Sequence, residues 1–177
     1  MAIALSRRHW LMAMAGALPA CASGQAAAPS QSAQSSNHPP DFELSTLDGG
    51  NVRLSDYLGK QVVLIDFWAT YCEPCLRAMP TLDSLYSKYK SQGFVVLGVA
   101  IDGPDSLSQV RADAQRLRVT FPILLDQDTR VVALYNPKTS APFSVLIGKQ
   151  GNILLQKEGY TTESGASLER DIAAALR

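Results

Sequence analysis

Apolar positions recur along this chain with two different periods, and each change of period marks an element. Residues 42–47 alternate apolar and polar, Asp48-Gly49-Gly50 follows as a turn, and residues 52–54 return, which predicts a short hairpin. Residues 55–59 connect it to Val62-Val63-Leu64-Ile65-Asp66-Phe67-Trp68, a nearly unbroken apolar run such as a strand buried on both faces requires. From residue 75 to 92 the spacing turns helical. Leu76, Met79, Leu82, Leu85, Tyr86 and Tyr89 share a face, and Gly93 ends the segment. Pro80 within it removes a backbone donor and predicts a kink. Residues 94–101 read as a second buried strand, 105–117 as an amphipathic helix, 121–125 as a short strand and 128–135 as a short helix. Residues 143–147 and 153–156 predict an antiparallel pair across the 148–152 turn, and 167–176 a closing helix. The chain has no internal repeat. Strands alternating with helices, then a hairpin and a last helix, predict an α/β fold: a mixed central sheet flanked by helices, with an N-terminal β-hairpin extension.

The amino-terminal residues follow neither period. Residues 1–24 read as an export signal, with Arg7 and Arg8 as its positive start and an apolar stretch from Trp10 to Leu18 too short to span a membrane comfortably. Ser6-Arg7-Arg8-His9-Trp10-Leu11 resembles a twin-arginine signal; an ordinary basic start is the competing reading. Leu18-Pro19-Ala20-Cys21 resembles a lipobox, which would make Cys21 a lipidated first residue, although Pro19 is unusual there and cleavage after Ala22 competes. Residues 25–38 are rich in Ala, Ser, Gln and Pro without Asp, Glu, Lys or Arg, a composition that cannot bury a core and behaves as a flexible tether. The domain is then 39–177. Either processing route places it outside the cytoplasm, in the periplasm or lipid-anchored on the outer face of a membrane.

Composition narrows the chemistry. The 177 residues carry no formal net charge, which gives no reason to expect nucleic acid as a partner. Both histidines, His9 and His38, precede the domain, and of three cysteines only Cys72 and Cys75 lie within it. Zinc, haem and copper sites want more ligands than that, so no metal and no cofactor is expected. The chain is read as a monomer.

What remains is Cys72-Glu73-Pro74-Cys75, placed where a buried strand ends and a helix begins. Unpaired N–H groups at a helix start favour a thiolate, so Cys72 is the candidate nucleophile and Cys75, a turn further in, the shielded resolving thiol. A static disulfide or half a metal site is the bland alternative. Asp66 interrupts an apolar strand six residues before Cys72. A buried carboxyl without a cation is held neutral to higher pH, and could take the proton from Cys75 as that thiol attacks. Glu73 should oppose a thiolate at Cys72, and Pro74 fits a first helical turn where no donor is lost. Tyr71 reads as an exposed apolar rim beside the nucleophile and Trp68 as core. Pro142, after Ala141 and just before a strand, reads by spacing alone as an ordinary trans loop proline.

The segment Asp66-Phe67-Trp68-Ala69-Thr70-Tyr71-Cys72-Glu73-Pro74-Cys75 resembles the thioredoxin active site. With Pro40-Asp41-Phe42-Glu43-Leu44 and the Asp48-Gly49-Gly50 turn, the chain is similar to the extracytoplasmic TlpA/ResA-like branch of that superfamily from residue 39 to 176. The resemblance implies a thioredoxin fold, a redox disulfide between Cys72 and Cys75, and Pro142 as a cis-proline facing them. It implies a thiol–disulfide oxidoreductase acting on protein disulfides or thiols, a reductant with a role in cytochrome c maturation, re-reduced by a membrane partner. Four positions depart from the pattern: Tyr71 stands where Trp is usual, Asp66 is acidic where this branch often is not, Gly98 replaces the lysine that partners the buried acid in thioredoxins, and Ala141 replaces the commoner Thr, Val or Ile. Three other functions compete. A thiol peroxidase of the peroxiredoxin type needs Pro-x-x-x-Thr-x-x-Cys, and Ile65 and Ala69 occupy those positions. A copper-binding assembly factor lacks His in the domain, and a structural lipoprotein would carry an inert disulfide.

Overall fold

The computed structural model describes residues 37–161 and 163–177. The export-signal and lipidation readings, Cys21 included, and residues 25–36 of the expected tether lie outside the described residues. The first described residues are held against the domain: Ile153 donates its N–H to Asn37 O at 2.7 Å, and His38 Nδ1 lies 2.8 Å from Gly151 O.

Two hydrophobic runs build the centre of the sheet. Strands β3 (Val62–Trp68) and β4 (Phe94–Ala100) are buried at all seven positions each and pair in parallel. β6 (Phe143–Ile147) lies antiparallel to β3 on its other side, followed by β7 (Ile153–Glu158); β5 (Ile123–Leu125) closes the opposite edge, giving the order β5-β4-β3-β6-β7. β7 alternates half-buried and exposed, as an edge strand with one wet face does. The hairpin β1 (Glu43–Ser45) and β2 (Asn51–Arg53) extends the β5 edge, where Leu47 donates its N–H to Ile123 O at 2.8 Å.

Helix α1 (Glu73–Tyr89) begins two residues earlier than its apolar spacing predicts, because Glu73 and Pro74 are favourable first-turn residues that add nothing to the stripe. It continues through Pro80, and Gly93, at φ 90°, reverses the chain after it in a conformation that side chains disfavour. α2 (Leu107–Arg116) and α3 (Arg130–Tyr135) follow, then α4 (Ser164–Ala175). α1 and α4 cover one face together: Lys88 Nζ and Tyr89 Oη both meet Glu169 Oε1, at 2.6 and 3.1 Å. The other face carries Phe67, whose ring lies 5.7 Å from that of Tyr135 on α3. The expected mixed sheet with its hairpin extension is what the chain forms.

Candidate active site

The carboxyl ends of β3 and β4 and the start of α1 converge on the two cysteines. Cys72 caps α1: its Sγ accepts the Cys75 N–H at 3.3 Å, and its carbonyl accepts the Leu76 N–H at 3.1 Å. Cys72 and Cys75 form a disulfide, with Cα atoms 5.3 Å apart. Cys75 has no exposed surface, and Cys72 keeps 6% of its own. The sulfur nearer the surface therefore sits where helix N–H groups point at it, an arrangement that favours negative charge.

The neighbours divide as their chemistry suggests. Tyr71 is 77% exposed, a bare aromatic beside the disulfide, whereas Trp68 is fully buried, and its Nε1 finds no hydrogen-bond partner among the described residues. Glu73 pairs at 3.2 Å with Arg77, one turn along α1, with both side chains well exposed. That pair offsets part of the repulsion Glu73 exerts on a Cys72 thiolate while adding little stability. Pro74 occupies the first turn of α1. The Ala141–Pro142 bond is cis, as the resemblance implies and against the trans reading that spacing alone gives, and β6 follows it directly.

Asp66 stands at the centre of a cross-strand row. Register places it beside Gly98 on β4 and Ser144 on β6, and Ser144 beside Lys157 on β7. Ser144 Oγ donates to Asp66 Oδ1 at 2.8 Å. Burial, eased only in part by that bond, pushes the Asp66 carboxyl up to about 7. No cation can approach from β4, since a Cβ on Gly98 would lie 2.7 Å from the Phe121 ring and 3.0 Å from Ile123 Cδ1. The space that a partner lysine would need is filled by an aromatic ring.

Two residues of this neighbourhood escape the sequence reading. Asp102, buried after β4, accepts the Thr70 N–H at 3.1 Å from both carboxylate oxygens and the Thr70 hydroxyl at 2.5 Å, which fixes the loop carrying Tyr71 and Cys72. Ser144 holds Asp66. Neither carries a local sequence signal, since a lone Asp after a strand and a Ser within one are both common; only a prediction of strand order could have paired them. Ile65 and Ala69, at the positions a peroxiredoxin-type motif assigns to Pro and Thr, are fully buried and bear no hydroxyl.

Comparison with known proteins agrees with this geometry. Residues 36–156 match the family described as AhpC/TSA. The thiol-disulfide oxidoreductase ResA of Geobacillus kaustophilus is 45% identical over 114 residues, which cover 64% of this chain and 63% of that protein. ResA of Halalkalibacterium halodurans is 36% identical over 123 residues, covering 70% and 68%. The alignment with the first of these thus spans less than two thirds of its length. A Chlorobium tepidum chain assigned as a thiol:disulfide interchange protein DsbE superposes with a TM-score of 0.73 and 34% identity, over 79% of this chain and 96% of its own. With its cysteine pair at the head of α1 and a cis-proline opening β6, the chain has a thioredoxin fold and belongs to the AhpC/TSA family.

Proposed function

We propose that this protein is a thiol–disulfide oxidoreductase that reduces disulfides in other proteins. The observation that carries the reading is the Cys72–Cys75 pair at the N-terminus of α1, with the Cys72 sulfur outermost. Cys72 thiolate attacks one sulfur of a substrate disulfide. That bond breaks, a mixed disulfide forms, and a substrate thiolate leaves. Cys75 then attacks the Cys72 sulfur, giving up its proton to the Asp66 carboxylate, and the second substrate thiolate departs. Two electrons pass from the dithiol to the substrate, and Cys72–Cys75 ends oxidised. Asp66, at about 7, is ionised often enough near neutrality to accept a proton and basic enough to hold it. On this reading the cis-proline Pro142 is the residue that faces the pair, and exposed Tyr71 offers an apolar rim for the substrate chain.

The likeness to ResA proteins is in keeping with a site outside the cytoplasm. On this proposal residues 1–24 are the export signal and Cys21 a lipid anchor, a reading the sequence alone carries, and a membrane electron donor restores the dithiol. Apocytochrome c is the substrate this reading favours.

Two measurements test it. Replacing Cys72 with Ser must abolish disulfide reductase activity. The reduction potential of the pair, read in the chain carrying Cys21→Ser, should lie near that of thioredoxin, about −270 mV; a value near the strong oxidants, about −120 mV, would make the protein a disulfide donor instead. A peroxidase reading is disfavoured by Ile65 and Ala69, and rapid peroxide consumption would restore it.

A further inference from the structure

On the reading above, Asp66 gains and loses a proton in every cycle, yet it is buried. A proton leaving it must follow hydrogen-bonding groups to water. Towards β4 the row offers Gly98, with Phe121 and Ile123 closing the space over it. Towards β6 it offers the Ser144 hydroxyl, 2.8 Å from Asp66 Oδ1 and the sole side-chain hydrogen bond that Asp66 makes among the described residues. Ser144 also lines a cavity of about 260 Å³ beneath β6, β7 and α4. Leucines of the sheet and of α1 and α4 form its apolar part, and Lys157, Tyr160, Ser164, Ser167 and Asp171 give it a polar side. Such a space has both the room and the partners that water needs.

We propose that Ser144 and this cavity form the proton exit of Asp66, opening under β7 and α4 and not past β4. The inference rests on Asp66 acting as the base. The Asp66 acid proton passes to Ser144 Oγ as the hydroxyl proton of Ser144 passes to a water in the cavity, leaving the carboxylate, an unchanged serine and a hydrated proton that reaches solvent. The titratable groups lining the cavity are Lys157 on β7, Tyr160 after it and Asp171 on α4; Cys75 on α1 belongs to the redox pair and does not line it, and β4 contributes none at Gly98. Lys157 Nζ is engaged by Ser164 Oγ at 3.0 Å, which holds the ammonium at the cavity wall. Ser144 is thus a positioning residue that works through Asp66.

The test is a pH jump on the full chain, following the infrared carboxyl band that Asp66→Asn removes. Ser144→Ala should slow its re-equilibration by about tenfold or more, and Ser144→Thr, which keeps the hydroxyl, should restore it. Ser167→Phe, which fills the cavity and leaves the Asp66–Ser144 bond in place, should slow it as well. Wild-type rates in either Ser144→Ala or Ser167→Phe overturn the exit. The attack of Cys75 on a mixed disulfide, timed separately, distinguishes the two readings. If Asp66→Asn leaves that rate unchanged, the base role falls and the exit with it. If Asp66→Asn slows it while Ser144→Ala exchanges normally, only the exit falls.

Discussion

The burial of Asp66 has a consequence for stability that changes with pH. Its carboxyl sits at about 7, held there by burial, against an ordinary carboxylate value near 4 when the chain is unfolded. Below that ordinary value both states are protonated and Asp66 imposes no cost. As pH rises from about 4 to about 7 the unfolded chain releases its proton first, so stability falls throughout that interval and is level above it. Replacing Asp66 with Asn, which can still accept the Ser144 hydroxyl, should therefore stabilise the oxidised protein at pH 8 by roughly 4 kcal/mol, at about 1.4 kcal/mol per pH unit. The gain should shrink towards zero near pH 4. Urea unfolding at the two pH values measures this, and a gain independent of pH would sink the assignment. This residue is legible in the sequence because a charge interrupting an apolar run stands out. Its partner is not: Ser144 lies 78 positions away, and Asp102 meets Thr70 across 32, so only the folded sheet brings either into view.

At the scale of elements, what the sequence discloses follows apolar contrast. β3 is legible to the residue because both of its faces are buried. α4 begins at Ser164, earlier than expected, because its first turns are Ser, Gly and Ala and carry no stripe until Leu168. β7 runs on to Glu158 for the same reason, since the polar end of an edge strand resembles a loop. α3 is the plainest case, six residues long with no capping hydrogen bond from Thr129. Its start is held instead by Asp126, fully buried, which accepts the N–H groups of Val131 at 3.1 Å and Val132 at 2.8 Å. An isolated helix of that length does not persist in water, so this cap and the packing of Val131, Val132 and Tyr135 must hold it. Asp126→Ala leaves two buried donors unpaired and should cost about 2–4 kcal/mol, with the earliest loss of amide protection falling on α3. Hydrogen exchange that reports α3 as protected as β3 in the variant would show that packing alone suffices.

For the molecule as a whole, redox state and stability are one equilibrium seen from two sides. Whichever form of the cysteine pair the fold favours is also the form the potential favours, and about 30 mV corresponds to about 1.4 kcal/mol. The strong oxidants have high potentials because their folds stabilise the reduced form. This fold pulls in both directions. The start of α1 welcomes a thiolate at Cys72, through the Cys75 N–H that already points at its sulfur. Against that, Cys75 is wholly buried among apolar side chains, Cys72 nearly so, Glu73 adds a negative charge next door, and Asp66, the acid of β3, forms no ion pair among the described residues. A buried apolar setting accepts a neutral disulfide at less cost than a thiolate. The balance predicts that the oxidised chain is the more stable form by about 1–4 kcal/mol, the span that separates a reductant from a neutral dithiol. Urea unfolding of the oxidised protein and of the reduced protein kept under dithiothreitol, both with Cys21→Ser, measures the difference. If the reduced form proves the more stable, the helix start outweighs burial, and the protein donates disulfides in place of removing them.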